Sequence, residues 1–508
     1  MRTKLLSDLG DLFAKPWIQY VVYGLAFSSA AMLLAFHGEV TNDSWWHLRI
    51  GKELWEGTFS FYDTHSWTAP GAFWPAHELG FEWVLYGLWQ LGGESFILMA
   101  LLNVALVLGS LVLLIPFRKL REKFGAHSNI LVPVLLFLAS YTMLGSVQIR
   151  AQAISYFLFA LTIRLILAKK PYWIPVVMVV WVWLHGSVMI GIALMGIATL
   201  LLLGRWLLDR TSKDKRRDAR NYSIAGVLSL LATLTSPLGF KIWPYFFSAF
   251  SYGNTKIVEW APLSSDPFLM TYAVIVLILL ALSFWILRGR TSSWELVYLY
   301  SISILFFLYS LTAVRVYTNF LLSALPVLLL AAMVGIQPTS TAEDLRQSRL
   351  HKRLALTATA FISLVALFFT YNISVQVMEN GSHDPFAKGG VAEMLRSDRC
   401  TGPLWTDYDT GSYLVWFMPD IKVSVDSRFD LYPEWVREAS GVVVPPGGSD
   451  DPTDKLNAVF KRYGINCMVM GNSSDSDALK KRGLEVLAEN QEMVVFDIPA
   501  TGIPEKKR

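Results

Sequence analysis

Charge is scarce in this sequence. Only 17% of its 508 residues are Asp, Glu, Lys or Arg, against roughly 25% in soluble domains. So little charge excludes an ordinary cytosolic enzyme, a disordered scaffold and a nucleic-acid binder. The formal net charge of +4 means little as a total, because basic and acidic residues nearly cancel. Cysteine is scarcer still, with Cys400 and Cys467 the only two. Neither belongs to a CxxC or a Cys/His zinc spacing, which argues against thiol-bound zinc and CxxC redox chemistry. The pair fits either a disulfide or two buried thiols, and the second is the plainer expectation. GxGxxG, a Walker loop and HExxH are all missing, so nothing argues for a nucleotide or a helical zinc site. No internal repeat or low-complexity tract is present.

What the chain has instead is apolar sequence: 54% hydrophobic residues and 19 Trp. A spanning helix needs about 20 apolar residues. Such runs recur at roughly 17–36, 95–116, 129–147, 152–168, 172–185, 187–204, 221–237, 268–287, 293–311, 316–335 and 354–373, which makes about eleven spans. Residues 172–204, around His185, fit either two spans or one broken segment. The run at 17–36 is read as a span, not a cleaved signal peptide, since no A-x-A site follows it.

Charge then orients the spans. Lys and Arg accumulate in cytoplasmic loops. Seven of them fall between Arg205 and Arg220, and further groups lie at 118–123 and 346–353. The alternate loops hold only Arg49, Lys52, Arg150, Lys241, Lys256 and Arg315. The N-terminus is therefore expected inside and residues after about 373 outside. The expected architecture is a polytopic α-helical membrane domain over 1–373, with long outer loops at 37–94 and 238–267. A small extracytoplasmic α/β domain follows over 374–508. Its turn signals are Asn380-Gly381 and Pro445–Gly448; Ile421–Val425 and Cys467–Met470 read as strands, and Asp454–Tyr463 as an amphipathic helix.

The loop at 37–94 far exceeds the usual connection of about 4–6 residues, and loops of that size tend to carry function. Asp43 leads its polar residues, just beyond the first span and beside Trp45 and Trp46. A carboxylate partly desolvated there is a credible general base; it also suits the N-cap of the amphipathic stretch Trp46, Ile50, Leu54. His77 with Glu78 fits a proton relay or a metal site, although no regular metal spacing supports an ion. More plainly, Asp63 and Ser66 make a turn, while Glu78 and Glu82 pair with Arg49 or Lys52.

Three cations, Arg150, His185 and Arg315, are expected at one depth on the side where positive charge is scarce. Charges at membrane depth are costly and tend to be functional. A phosphate at the outer headgroup level would explain all three; snorkelling would explain each alone. The 238–267 loop adds a helix break at Pro237-Leu238-Gly239, an interfacial aromatic helix, Lys256 and Glu259. In the tail, Asp407, Asp426 and Arg428 stand near strand ends, where α/β sheets often bind ligands. Asp426 with Arg428 also reads as a structural ion pair.

The residues Asp43-x-Trp45-Trp46-His47-Leu48-x-x-Gly51, Asp63-x-x-Ser66-x-Thr68, Trp74-x-x-x-Glu78, Ser236-Pro237-Leu238-Gly239, Glu259-Trp260 and Asp426-Ser427-Arg428 now carry a resemblance. The chain resembles the GT-C superfamily of membrane glycosyltransferases, which use polyprenyl-phosphate-linked sugars. Within it, the chain is most similar to bacterial multi-pass members of undescribed specificity. The likeness spans nearly the whole chain in layout, but the matching motifs are short. It implies a sugar transferase of the bacterial cytoplasmic membrane, acting at the outer face with a polyprenyl-phosphate sugar donor and membrane lipid as partners. No cofactor is expected, and no ligand spacing supports a divalent metal. It also implies that Asp43 is the acidic residue that activates the acceptor or assists transfer. Arg150, His185 and Arg315 become donor-phosphate candidates by position; Asp63, His77, Glu78, Lys256, Glu259, Asp407, Asp426 and Arg428 are candidates to line the site. Many relatives carry an acidic pair where this chain has Asp43 followed by Ser44. Trp405–Tyr413 only faintly echoes the acceptor motif of oligosaccharyltransferases, with Thr406 replacing its second Trp, so peptide glycosylation is not implied. The competing expectations are a non-catalytic assembly or recognition protein and a transporter of lipid-linked solutes; transporters tend to have repeats and polar mid-membrane sites.

Overall fold

The structure is a computed structural model. It describes residues 40–116, 143, 148–248, 258–288, 293–335, 384–440 and 453–504. The expected spans 17–36 and 354–373, most of 129–147, and the turns at Asn380-Gly381 and Pro445–Gly448 lie outside the described residues.

In chain order the helices are α1 (Asn42–Glu56), α2 (Leu79–Leu91), α3 (Ile97–Leu114), α4 (Gln152–Leu167), α5 (Ile174–Leu184), α6 (Val188–Leu208), α7 (Lys213–Thr233) and α8 (Ile242–Ser248). They continue with α9 (Pro267–Leu287), α10 (Trp294–Ser310), α11 (Tyr317–Gly335), α12 (Val391–Leu395), α13 (Tyr408–Phe417), α14 (Glu434–Ala439), α15 (Thr453–Tyr463) and α16 (Ser474–Lys481). The strands are β1 (Trp405–Thr406), β2 (Cys467–Gly471), β3 (Val486–Glu489) and β4 (Met493–Asp497). Two compact units result. One draws its described residues from Ile97–Pro237 and Pro262–Met378, the other from Val40–Phe96, Leu238–Ala261 and Glu379–Arg508.

The first unit is helical and apolar. Among the described residues, α3, α6, α9 and the stretch Val314–Val334 are long and apolar enough to cross a membrane. They coincide with four expected runs. Three more runs fall on the shorter apolar helices Gln152–Leu167, Pro171–Leu184 and Trp294–Ser310. The run at 221–237 falls on α7, which starts earlier, because Ser212 caps it by accepting from Lys215 N at 3.4 Å. Likewise Asp266 accepts from Phe268 N and Leu269 N, both at 3.0 Å, and starts α9. Only 22% of the apolar window of α9 is buried. An apolar face that large and that exposed suits lipid rather than water. Around His185 the chain makes two helices: α5 stops at Leu184 and α6 starts at Val188.

The second unit joins loop and tail in one core. Trp46, Trp74 and Leu79 pack with Phe386, Leu414, Val423 and Val469. Its sheet has the order β1-β2-β4-β3, with β1 parallel to β2 and both other pairs antiparallel. The expected strand at Cys467–Met470 and helix at Asp454–Tyr463 are present as β2 and α15. The strand expected at Ile421–Val425 is not: Val423 makes one isolated bridge, to Ser66 of the outer loop. Its backbone is spent on that loop, since Trp67 N donates to Val423 O at 3.0 Å and Val423 N to His65 O at 3.0 Å. The expectation of two separate thiols is also corrected. Cys400 and Cys467 form a disulfide, with Cα atoms 5.4 Å apart. Asn466 brings them together, donating to Arg399 O at 2.6 Å and accepting from Gly402 N at 3.1 Å.

Candidate functional site

The carboxylates of the second unit converge at two helix starts. Thr41 and Ser44 form a capping box that begins α1. Thr41, not Asp43, is therefore the N-cap, which corrects the capping expectation. Asp43 lies in the first turn, half-buried, and accepts from Trp46 Nε1 at 3.4 Å. Asp407 begins α13 by accepting from Thr410 N at 2.6 Å, and it also accepts from Gly471 N at 2.9 Å. Asp409 follows in the first turn of α13, reaches solvent, and accepts from the side-chain amide of Asn42. α13 packs against α1, where Trp45 meets Phe417 and Tyr413 at centroid separations of 4.6 and 6.0 Å. Gly411 permits a close approach in α13, since a Cβ there would lie 1.8 Å from Val425 O.

This placement moves proton affinities. Asp409 is pushed up to about 6 by desolvation, then by the negative charges of Asp407 and Asp43. Burial also raises Asp407, against the hydrogen bonds that it accepts. The result is a carboxylate set able to hold a proton near neutral pH beside Asp43, as acid–base chemistry requires.

A second network runs deeper. His47, one turn beyond Asp43, approaches Glu82 Oε1 at 3.1 Å through Nδ1 and Glu78 Oε2 at 3.5 Å through Nε2. His77 Nε2 lies 3.4 Å from Glu78 and 3.2 Å from the Tyr245 hydroxyl, which donates to Asp430 at 2.9 Å. Burial depresses the His77 pKa, but Glu78 and Asp430 outweigh it and raise the pKa overall. Glu82 is raised by burial, against His47. Glu78 and Glu82 thus pair with histidines rather than with Arg49 or Lys52. Those cations take Glu53 and Glu56 at i+4 on the same face of α1, the nearest carboxylates a helix can offer them.

Asp63, Asp426 and Arg428 form a closed knot. Arg428 grips Asp426 through Nε at 3.0 Å and its terminal nitrogen at 2.7 Å, and meets Asp63 at 3.0 Å. All three are buried, and Trp74 lies beneath the guanidinium at 5.3 Å. Asp63 also makes the expected turn, accepting from Ser66 N at 2.9 Å and Ser66 Oγ at 2.7 Å. Glu259 lies in the short turn Val258–Trp260; Lys256 lies outside the described residues.

Arg150, His185 and Arg315 belong to the first unit. His185 is buried where α5 breaks, its Nδ1 2.7 Å from Ser187 Oγ and bonded to Ser155 Oγ. Trp181 Nε1 donates to Ser155 Oγ at 3.3 Å and to Ser187 Oγ at 3.1 Å. Ser155 is in the first turn of α4, which Arg150 precedes. Arg315 lies in the turn before α11, a helix that also touches α4. Sequence alone missed His47, Tyr245 and Asp409 as members of these networks. The i+4 spacing of His47 from Asp43 and the second acid of Asp407-Tyr408-Asp409 were the available signals.

No family model matches the sequence, and no curated protein matches it. Solved structures do. The chain is similar to ArnT from Cupriavidus metallidurans bound to undecaprenyl phosphate, at 13% identity and TM-score 0.53, over 96% of this chain and 99% of that one. The apo state of ArnT gives 13% identity and TM-score 0.54, over 97% and 100%. The archaeal oligosaccharyltransferase AglB from Archaeoglobus fulgidus, in complex with an inhibitory peptide and a dolichol-phosphate, gives 10% and 0.53, over 90% and 70%. At such identities the likeness is one of fold alone.

Proposed function

We propose that this chain transfers a sugar from a polyprenyl-phosphate-linked donor to an acceptor on the outer face of a bacterial cytoplasmic membrane. The observation that carries the proposal is the end-to-end fold match with a structure holding undecaprenyl phosphate. The carboxylates at the starts of α1 and α13 supply the chemistry. Asp43 accepts the proton of the acceptor nucleophile as that atom attacks the anomeric carbon. The bond from that carbon to the phosphate oxygen breaks, and polyprenyl phosphate departs with the bonding pair. Arg150, His185 and Arg315 stabilise the charge developing on it. The Cys400–Cys467 disulfide supports an oxidising, non-cytosolic compartment for its unit, as does the distribution of Lys and Arg.

The test supplies purified protein with a panel of polyprenyl-phosphate sugars and measures released polyprenyl phosphate, which requires no knowledge of the acceptor. Release by wild-type protein is expected, and release slower by about 10²–10⁴-fold by Asp43→Asn. Equal release by both removes Asp43 from the mechanism, and no release from any donor, with membrane extract supplied as acceptor, rejects the transfer itself.

A further inference from the structure

The surface of the unit that contains α1 and α13 is divided by chemistry. Its exposed large apolar side chains, among them Trp55, Tyr62, Phe73, Trp83 and Phe240, all lie on 40–96 and 238–248. Among the described residues, 384–504 contributes none. Ordinary surfaces scatter such side chains singly; here they associate. Trp55 and Trp83 stack at 5.1 Å and 24°, fixed by Trp55 Nε1 donating to Trp83 O at 2.9 Å. Tyr62 and Phe73 meet at 5.9 Å across a backbone bridge. The exposed Lys241 holds its ammonium 4.5 Å over the Phe73 ring, and its neighbour Phe240 is 79% exposed.

Two features bear on what covers the group around Phe73 and Lys241. First, both segments continue in the chain into apolar helices: α2 is followed by α3, and α7 leads to Phe240 and Lys241. Second, aromatic rings around a cation are the composition of a protein surface at lipid headgroups. Amphipathic rings settle there, long cationic stems snorkel, and anionic phosphate supplies the complementary charge. A protein partner fits less well, since lysine is depleted in protein interfaces. A sugar platform fits less well too, because Trp55 and Trp83 already cover one face of each other.

We infer that this face lies in the headgroup layer of a bilayer, with Lys241 paired to a lipid phosphate. The inference does not depend on sugar transfer. Its test uses the full chain in nanodiscs of phosphatidylcholine, with or without phosphatidylglycerol. Because the two native cysteines are joined, a nitroxide can be placed on Phe240→Cys, Tyr62→Cys or Asp475→Cys alone. Monodisperse elution checks the fold, and two test positions guard against one failing. Oxygen should relax the labels at 240 and 62 more than a water-soluble nickel chelate does, with the reverse at 475. Adding phosphatidylglycerol should deepen the label at 240, and Lys241→Gln should abolish that change. Labels at 240 and 62 as nickel-accessible as 475 overturn the inference. Deep labels indifferent to phosphatidylglycerol and to Lys241→Gln overturn the phosphate pairing.

Discussion

The side-chain amide of Asn42 donates to the carboxylate of Asp409, so the residue beside Asp43 holds the acid that Asp43 perturbs. Two helix starts from opposite ends of the chain thereby share one electrostatic environment. The proton affinity of Asp409 therefore depends on the charge of its neighbours, and this dependence has measurable consequences.

Asp43→Asn should cut transfer by about 10²–10⁴-fold, the usual contribution of a positioned acid–base group. It should also lower the Asp409 pKa from about 6, because one of the negative charges that raise it is gone. Steady-state rates and a carboxyl-detected NMR titration read the two effects separately. An unmoved Asp409 titration excludes the coupling.

Asp409 also predicts a slope of stability with pH. Its folded pKa of about 6 exceeds the unfolded value of about 3.9, so folding favours its protonated form. The contribution is complete below about pH 4 and is lost as pH rises through about 6. Asp409→Asn should remove that decline, making the variant relatively more stable at pH 7 than at pH 4. Thermal unfolding at both values checks the sign.

The Cys400–Cys467 bridge spans a sequence separation of 67. Losing a crosslink of that loop length costs about 4 kcal/mol on the chain-entropy model. Cys400→Ser should lower the unfolding midpoint of the unit that holds it. Wild-type protein should show no alkylatable thiol until it is reduced.

Arg428 is the counter-charge of two buried carboxylates, Asp63 and Asp426. Arg428→Met should destabilise by about 3–5 kcal/mol, the cost of leaving buried charge unpaired. Asp63→Asn with Asp426→Asn in the same chain should recover part of the loss. Midpoints of chemical unfolding for the three proteins decide this.

The pairing of Glu78 shows why such networks escape inspection of a sequence. Arg49 and Lys52 are cations within its loop and look like partners. Each, however, has a carboxylate one helical turn away at Glu53 or Glu56. Glu78 is left to His47 and His77, a pairing fixed by how α1 and α2 pack. Gly51 allows that approach, since a Cβ there would lie 2.3 Å from Glu82 O.

Hydropathy and charge act locally along the chain, and so the sequence by itself determined that apolar helices recur, that Lys and Arg favour one set of loops, and that Asp43 stands where a long polar loop begins. Helix starts at Thr41, Ser212 and Asp266 are equally local, because a capping side chain reaches only its own first turn. Tertiary structure alone decided that Cys400 meets Cys467, that Val423 pairs with Ser66 instead of entering the sheet, that Arg428 takes Asp63 as well as Asp426, and that Asp409 comes under the charge of Asp43. These partners are brought together by burial of one core shared by loop and tail, and burying apolar surface is non-directional: it requires that the segments meet without recording in either one where the other will come from.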